Sequence, residues 1–339
     1  MHAGLSRTLR CPVGRRLITA VLLACALLAG CGGDDDESGT RPPPVAQPED
    51  FPSAQGKTLA DLRSELGRGG PVLAPSVSQL TTGDNRFGFG LFDRSRAQIA
   101  NAAVAVYVAP AGGGPASGPY PARYESLDVK PQFQSRQTAT DPNAAKTVYV
   151  ADIPFKKPGQ YDVLGIARLD DRLVAATSAA PGLQVFRAAD DPIPSAGDAA
   201  PRIHTPTEAE VGGDLASIDT RIPPSSMHEN DFADVVGKKP VVLLFATPQL
   251  CQSRVCGPVV DIAEQVKAES GGDDVEFIHM EVFRDNDIAK GLRPQLNAYS
   301  LRTEPWLFAV DRKGNVAARL EGAFSAGELQ SALKRAQGS

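Results

Sequence analysis

Pro240-Val241-Val242-Leu243-Leu244-Phe245-Ala246-Thr247-Pro248-Gln249-Leu250-Cys251-Gln252-Ser253-Arg254-Val255-Cys256-Gly257-Pro258 is the stretch on which the reading of this chain turns. Residues 240–245 form a short unbroken apolar run, the pattern of a strand covered on both faces. A loop follows, and Val255 to Ala268 reads as a helix. Two cysteines therefore stand where a strand passes into a helix, and they are five residues apart. A thiol at a helix amino terminus has its thiolate favoured by the helix dipole, which makes Cys251 the candidate nucleophile and Cys256 the candidate resolving thiol.

Downstream, Val275 to Phe283 reads as a second strand, followed by an irregular helical stretch through about Ser300. Trp306 to Asp311 and Val316 to Glu321 read as two more strands, joined at Lys313-Gly314-Asn315. Ser325 opens a final helix, with Glu328 three positions on in capping-box spacing. The order strand, helix, strand, helix, hairpin, helix resembles the thioredoxin fold over roughly residues 228–336. Thr303-Glu304-Pro305-Trp306-Leu307-Phe308-Ala309-Val310-Asp311-Arg312-Lys313-Gly314 is similar to the proline, apolar strand and Asp-x-x-Gly turn of membrane-tethered thioredoxin-like proteins. That resemblance implies a cis peptide bond before Pro305, with the proline facing the active-site sulfur.

The cysteines depart from that family, which uses Cys-x-x-Cys where this chain has four intervening residues. Leu250 stands where the family has a tryptophan, and Leu244 where it has a buried acid. On a regular helix, residues five apart have Cα atoms roughly 8–9 Å from one another, whereas a disulfide wants less than about 7 Å. A Cys251–Cys256 bridge therefore requires Cys251 to lie outside the helix, or the first turn to unwind. Thr247-Pro248 and the cysteine spacing also resemble a class of peroxiredoxins, although Pro248 occupies the position of their threonine. Copper assembly proteins of the same fold pair two cysteines with a late histidine. Here the only histidine well inside the domain is His279, in the second strand, so no metal site is assigned. The alternatives to a thiol–disulfide oxidoreductase are thus a thiol peroxidase using the same two sulfurs, and a non-catalytic binding or scaffold protein with a structural disulfide. No organic cofactor is needed for any of them.

The remaining cysteines fall near the amino terminus. Arg7, Arg10, Arg15 and Arg16 precede the apolar run Leu17–Leu28, the composition of a secretory signal over residues 1–30. Leu28-Ala29-Gly30-Cys31 resembles the lipobox of bacterial lipoproteins, which implies lipidation at Cys31 and an extracytoplasmic, membrane-anchored chain in a compartment where disulfides persist. The partners expected are membrane lipid through Cys31 and a protein thiol or disulfide. Removing residues 1–30 takes away four arginines and no acid, moving the formal charge from −5 to −9. An acidic chain without a basic run is a poor fit to nucleic acid.

Residues 31–50 are Gly-, Asp- and Pro-rich and read as a tether of up to about 60 Å if polyproline-like. Residues 70–187 read as an all-β, immunoglobulin-like sandwich. Its candidate strands are Arg86–Asp93, Ala103–Ala109, Tyr124–Lys130, Thr147–Ile153, Tyr161–Leu169, Leu173–Ser178 and Leu183–Phe186. Pro158-Gly159-Gln160-Tyr161 is similar to the turn and tyrosine opening a late strand of such sandwiches. The alternation in residues 147–153 suits a sheet with one wet face. Residues 188–224 read as a Pro-rich linker, and 225–339 as the thioredoxin-like α/β domain.

Overall fold

A computed structural model of the chain describes residues 45–66, 69–270 and 274–338. Cys31 lies outside the described residues, as do the leading segment and most of the tether. Among the described residues no helix is long and apolar enough to cross a membrane. The elements in chain order are α1 (Leu59–Ser64), β1 (Val72–Pro75), β2 (Leu80–Thr81), β3 (Gly83–Phe92), β4 (Ala103–Pro110), β5 (Ser117–Ser126), α2 (Arg136–Thr140), β6 (Thr147–Phe155), β7 (Gly159–Leu169), β8 (Arg172–Ser178) and β9 (Leu183–Phe186). They are followed by α3 (Phe232–Val235), β10 (Val241–Phe245), α4 (Cys256–Glu269), β11 (Glu276–Met280), α5 (Pro294–Ala298), β12 (Trp306–Val310), β13 (Val316–Glu321) and α6 (Ala326–Gln337).

The amino-terminal strands do not form an immunoglobulin-like sandwich. They close into a mixed barrel of seven strands in the order β7-β4-β5-β6-β3-β1-β8, with β8 pairing back onto β7. Closure depends on β1, whose Val72 and Leu73 pair in parallel with Thr177 and Ser178 of β8, while its other edge runs antiparallel to β3. β1 is only Val72-Leu73-Ala74-Pro75, placed directly after Gly69-Gly70-Pro71, and the sequence pattern assigns no strand there. A parallel seam between strands so far apart in the chain leaves no hairpin signature. Without β1 the remaining strands look like an open sheet, and closure is what removes its edges.

Phe87, Phe89, Leu91, Val104, Val106 and Tyr149 fill the barrel. Helix α1 covers one flank, where Leu62 packs on Ala105, Tyr107, Leu164, Ile166 and Ala175. Strand β6 has no wet face over residues 147–151. Tyr149, Ala151 and Ile153 point into the barrel, while Val148 and Val150 join the core formed by α4 and α6. Its alternation thus separates two apolar environments rather than core from water.

The carboxy-terminal region is a separate four-stranded sheet in the order β11-β10-β12-β13, parallel between β10 and β11 and antiparallel elsewhere. It departs from the thioredoxin α/β fold expected from the sequence, because long helices cover only one of its faces. On that face α4 and α6 pack on Val242, Leu244, Leu307 and Ala309. The opposite face, carrying Val241, Leu243, Phe245, Phe308 and Val310, is covered by Ile193, Ile203, Phe232, Tyr299 and Leu301. Those residues come from coil and from the ends of one-turn helices. The sequence pattern of residues 284–300 reads as helix-like, but only Pro294–Ala298 forms an α-helix, after two 3₁₀ turns.

Barrel and sheet are fastened by polar bonds as well as by the shared core. Arg86 on β3 forms a forked ion pair with Glu328 of α6 at 2.7 Å and also donates to the Ala323 carbonyl. Glu321, ending β13, accepts from the backbone N–H groups of Ser78 and Gln79. Here the two parts come so close that a Cβ on Gly322 would lie 1.9 Å from the Ser76 carbonyl oxygen, at a backbone φ of +73°. Gly322→Ala therefore meets both a backbone clash and a left-handed conformation, the latter alone worth of order 1–3 kcal/mol. Thermal unfolding of Gly322→Ala is expected several degrees below wild type, with Gly83→Ala, in open space, as the comparison.

Candidate functional site

The carboxyl end of β10 aims the chain at the site. Phe245 pairs with Met280 and Trp306, after which Ala246 still donates to the Met280 carbonyl. At Thr247 the chain turns, and its carbonyl accepts from the N–H groups of Leu250 and Cys251. Helix α4 begins at Cys256, so Cys251 lies outside the helix and Cys256 is its first residue. This removes the distance obstacle that a regular helix would place between the two sulfurs. The connection uses a left-handed residue, Arg254, at φ 58°.

Cys251 is half-buried, Cys256 is fully buried, and both are free thiols. The two Sγ atoms and a carboxylate oxygen of Glu304 all lie within 4.8 Å of one another. The Cys256 thiol, the Ser253 hydroxyl at 3.2 Å, and the backbone N–H groups of Cys256 and Val255 all favour the Cys251 thiolate, and hold its pKa down at about 6 against the cost of burial. Cys256 moves the opposite way. Burial pushes its thiol well above the ordinary range, and the neighbouring Cys251 adds to this. The site thus separates one sulfur ionised at neutral pH from one that stays protonated, the asymmetry a two-thiol exchange requires.

Glu304 arrives on the loop entering β12, and the Glu304–Pro305 bond is cis. Thr303 steadies this loop, accepting from the Trp306 indole at 3.0 Å and donating to Glu321 at 3.0 Å. Burial raises the Glu304 carboxyl to about 7, and the charge of Cys251 pushes in the same direction. The sequence reading names Pro305 but gives its neighbour no role. A carboxylate immediately before a wholly apolar strand is the signal that marks it.

Beneath the cysteine loop lies a second polar cluster, built from residues 219–228 and the end of β11. Asp219 Oδ2 accepts from the Ser225 backbone at 2.7 Å, and faces His228 Nε2 at 3.0 Å and His279 Nδ1 at 3.2 Å. Its other oxygen accepts from the Arg221 N–H. His279 Nε2 faces the Ala246 carbonyl at 3.1 Å. With every oxygen of Asp219 engaged by the protein, the cluster is a hydrogen-bonded knot that ties β11 to the turn after β10. Burial works against a charged His279, but Asp219 outweighs it and raises the imidazole to about 9. Next to it, Glu281 accepts from the Thr220 hydroxyl, which in turn accepts from the Gln249 N–H at 3.1 Å. The loop bearing Cys251 is therefore anchored from below.

The barrel reaches the site as well. Between β5 and β6 the chain leaves the barrel over residues 127–146 and lies against α4. Gln137, Thr138, Asp141 and Ala144 of this excursion face Gln249, Cys251 and Arg254 across a groove of about 450 Å³. Arg254 spans it to Asp141 at 3.0 Å. Gly257 in the first turn of α4 sits so close that a Cβ there would be 2.9 Å from the Thr138 hydroxyl. The sequence reading finds no site residue in the barrel, because these groups lie more than a hundred positions before the cysteines and carry no motif. Cys251 and Cys256 are thus brought together with Glu304, the residue bonded to Pro305, whereas Cys31 belongs to the undescribed amino terminus.

No protein family matches the chain, and no curated relative matches it. Among solved structures, a thiol:disulfide interchange protein of the thioredoxin family from Chlorobium tepidum TLS is 15% identical, over 41% of this chain and 95% of that one, with a TM-score of 0.30. The likeness is weak.

Two outcomes follow from the electrostatics. Alkylation of Cys251 by iodoacetamide is expected to rise through a midpoint near pH 6, with Cys256 unlabelled in the native protein; a midpoint near 9 contradicts the thiolate assignment. The raised pKa of His279 contributes stability in full below about pH 6.5, which is lost as pH climbs through about 9. The melting temperature of wild type should accordingly fall more steeply between pH 7 and 9.5 than that of His279→Gln.

Proposed function

We propose that the chain is a thiol–disulfide oxidoreductase working through Cys251 and Cys256. The reading rests on one arrangement: two free thiols within 4.8 Å, one accessible with a lowered pKa and one buried with a raised pKa. In the reducing direction, the Cys251 thiolate attacks one sulfur of a client disulfide. The client S–S bond breaks, a mixed disulfide forms, and the client's second sulfur leaves as a thiolate that takes a proton. Cys256 then attacks Sγ of Cys251, with its proton passing to the Glu304 carboxylate beside it. The client departs as a dithiol, and the two electrons it has gained leave a Cys251–Cys256 disulfide behind. An external dithiol restores the starting state.

Glu304 suits the second step because burial keeps its carboxyl titrating at about 7, where a proton is taken up and released most readily at neutral pH. The chain has Leu244 where thioredoxins have a buried acid, so the carboxylate comes from the proline loop instead. The same proposal has residues 1–30 removed as a signal and Cys31 lipidated, holding the site on the outer face of a membrane. Intact mass of the processed protein measures this directly.

Cys251→Ser should abolish reduction of a disulfide substrate. In Glu304→Gln, native alkylation of Cys251 should stay within about threefold, while resolution of the mixed disulfide slows by roughly 10²-fold or more, the usual worth of a positioned base. Rapid-quench trapping separates the two steps, and an unchanged resolution rate in Glu304→Gln removes the carboxylate from the mechanism.

A further inference from the structure

We propose that the reduced site is also a Zn²⁺ site, with Cys251 Sγ, Cys256 Sγ and a Glu304 carboxylate oxygen as its three protein ligands. The assignment uses the same groups as the thiol–disulfide reading but stands on their geometry, so either can fail without the other. All three donor atoms lie within 4.8 Å of one another. A tetrahedral zinc ion, with bonds of about 2.3 Å to sulfur and about 2.0–2.2 Å to oxygen, holds its donors roughly 3.4–3.8 Å apart. The observed limit exceeds this by only about 1 Å, within reach of side-chain rotation. The spacing agrees: four residues separate the cysteines, as zinc ligand pairs allow. Cys251 lies on the turn after β10 and Cys256 opens α4, so turn, helix and the loop before β12 each supply one donor.

The charge of the site points the same way. Three groups that are negative when ionised converge, and no protein cation balances them. Burial, Cys251 and its own backbone N–H act on the Glu304 carboxyl, with no lysine, arginine or histidine among them. Arg254 is paired with Asp141 at 3.0 Å instead. A divalent cation supplies the missing positive charge. The mixed donor set selects the ion: thiolates alone suit Cu(I) as well as zinc, whereas zinc also takes a carboxylate oxygen. Three protein ligands leave a fourth position for water, and Cys251 and Glu304 are only half-buried, so the ion enters from solvent. As the metal bonds form, any proton on either sulfur passes to solvent and no electron moves. The bound ion occupies the sulfur with which Cys251 attacks a disulfide, so zinc holds the pair reduced and silent until it is removed.

The test titrates the reduced, chelator-washed full chain anaerobically with Co²⁺ and then with Zn²⁺. A single Co²⁺ per chain is expected, with the sulfur-to-metal charge-transfer band of thiolate ligation and the intense d–d bands of a tetrahedral site, both displaced by Zn²⁺. Bound Zn²⁺ should suppress iodoacetamide labelling of Cys251 by roughly tenfold or more, and a chelator should restore it. Cys251→Ser and Cys256→Ser should each weaken the charge-transfer band. Glu304→Gln should keep that band while Zn²⁺ affinity falls by roughly tenfold or more, since even an outer-shell partner is worth that much. Wild type alkylated at Cys251 should show the same loss of the band without any substitution, so the result does not hang on a variant that fails to fold. No cobalt uptake, uptake without the thiolate band, or an affinity unchanged in Glu304→Gln overturns the assignment. Disulfide reduction by the metal-free protein is assayed alongside; its absence fells the thiol-exchange reading and leaves the zinc site standing.

Discussion

Asp261, an acid in the middle of an apolar helix, is the constraint on which the site depends. Its carboxylate sits fully buried and gathers Ser135 from the barrel excursion and Arg221 from the segment before the sheet. Burial pushes the carboxyl upward against the pull of these partners. A buried charge of this kind is costly unless fully bonded, and breaking such a pair typically costs about 3–5 kcal/mol. The three segments it joins therefore move together or not at all. Because α4 also carries Cys256 at its first position, the same carboxylate fixes that sulfur relative to the groove wall.

The site shows how a weak local signal becomes specific chemistry through burial. Neither cysteine has an arginine or lysine among the causes of its shift. Cys251 is tuned by hydrogen bonds at a helix start, and Cys256 by exclusion from water. Glu304 is tuned by the same exclusion, so three groups that would titrate near their ordinary values in solution are separated by position alone.

The cysteine pair at the turn from strand to helix was the most legible part of the chain. An apolar run, a turn and a helix can be read locally, and the Thr-x-Pro segment entering an apolar strand was equally plain. The order of carboxy-terminal elements followed from periodicity, yet the covering of one sheet face by coil did not. Ile193 and Ile203 are isolated apolar residues in polar, proline-rich sequence, and nothing in their spacing announces that they share a core with the sheet. The barrel was misread for a sharper reason. Most of its strands were found from composition and turn signals, although the stretch expected at Tyr124–Lys130 is strand only as far as Ser126, and the piece that closes the ring, Val72–Pro75, is too short to alternate. Likewise Val148 and Val150 looked solvent-facing only in the sense that they oppose Tyr149. The groove wall was invisible because its placement rests on hydrogen bonds between distant segments, which leave no pattern in residue type.

The seam between β1 and β8 bears on how this protein is made. Val72 must wait for Thr177, over a hundred residues later, before its second edge is covered. Contacts of such long separation are the slow ones to form, since loop entropy is spent before any pairing rewards it. During synthesis the nascent amino-terminal half therefore carries an open, apolar-lined cylinder until the last of its staves arrives. A truncation ending before residue 172 leaves a sheet edge ready to recruit a second chain.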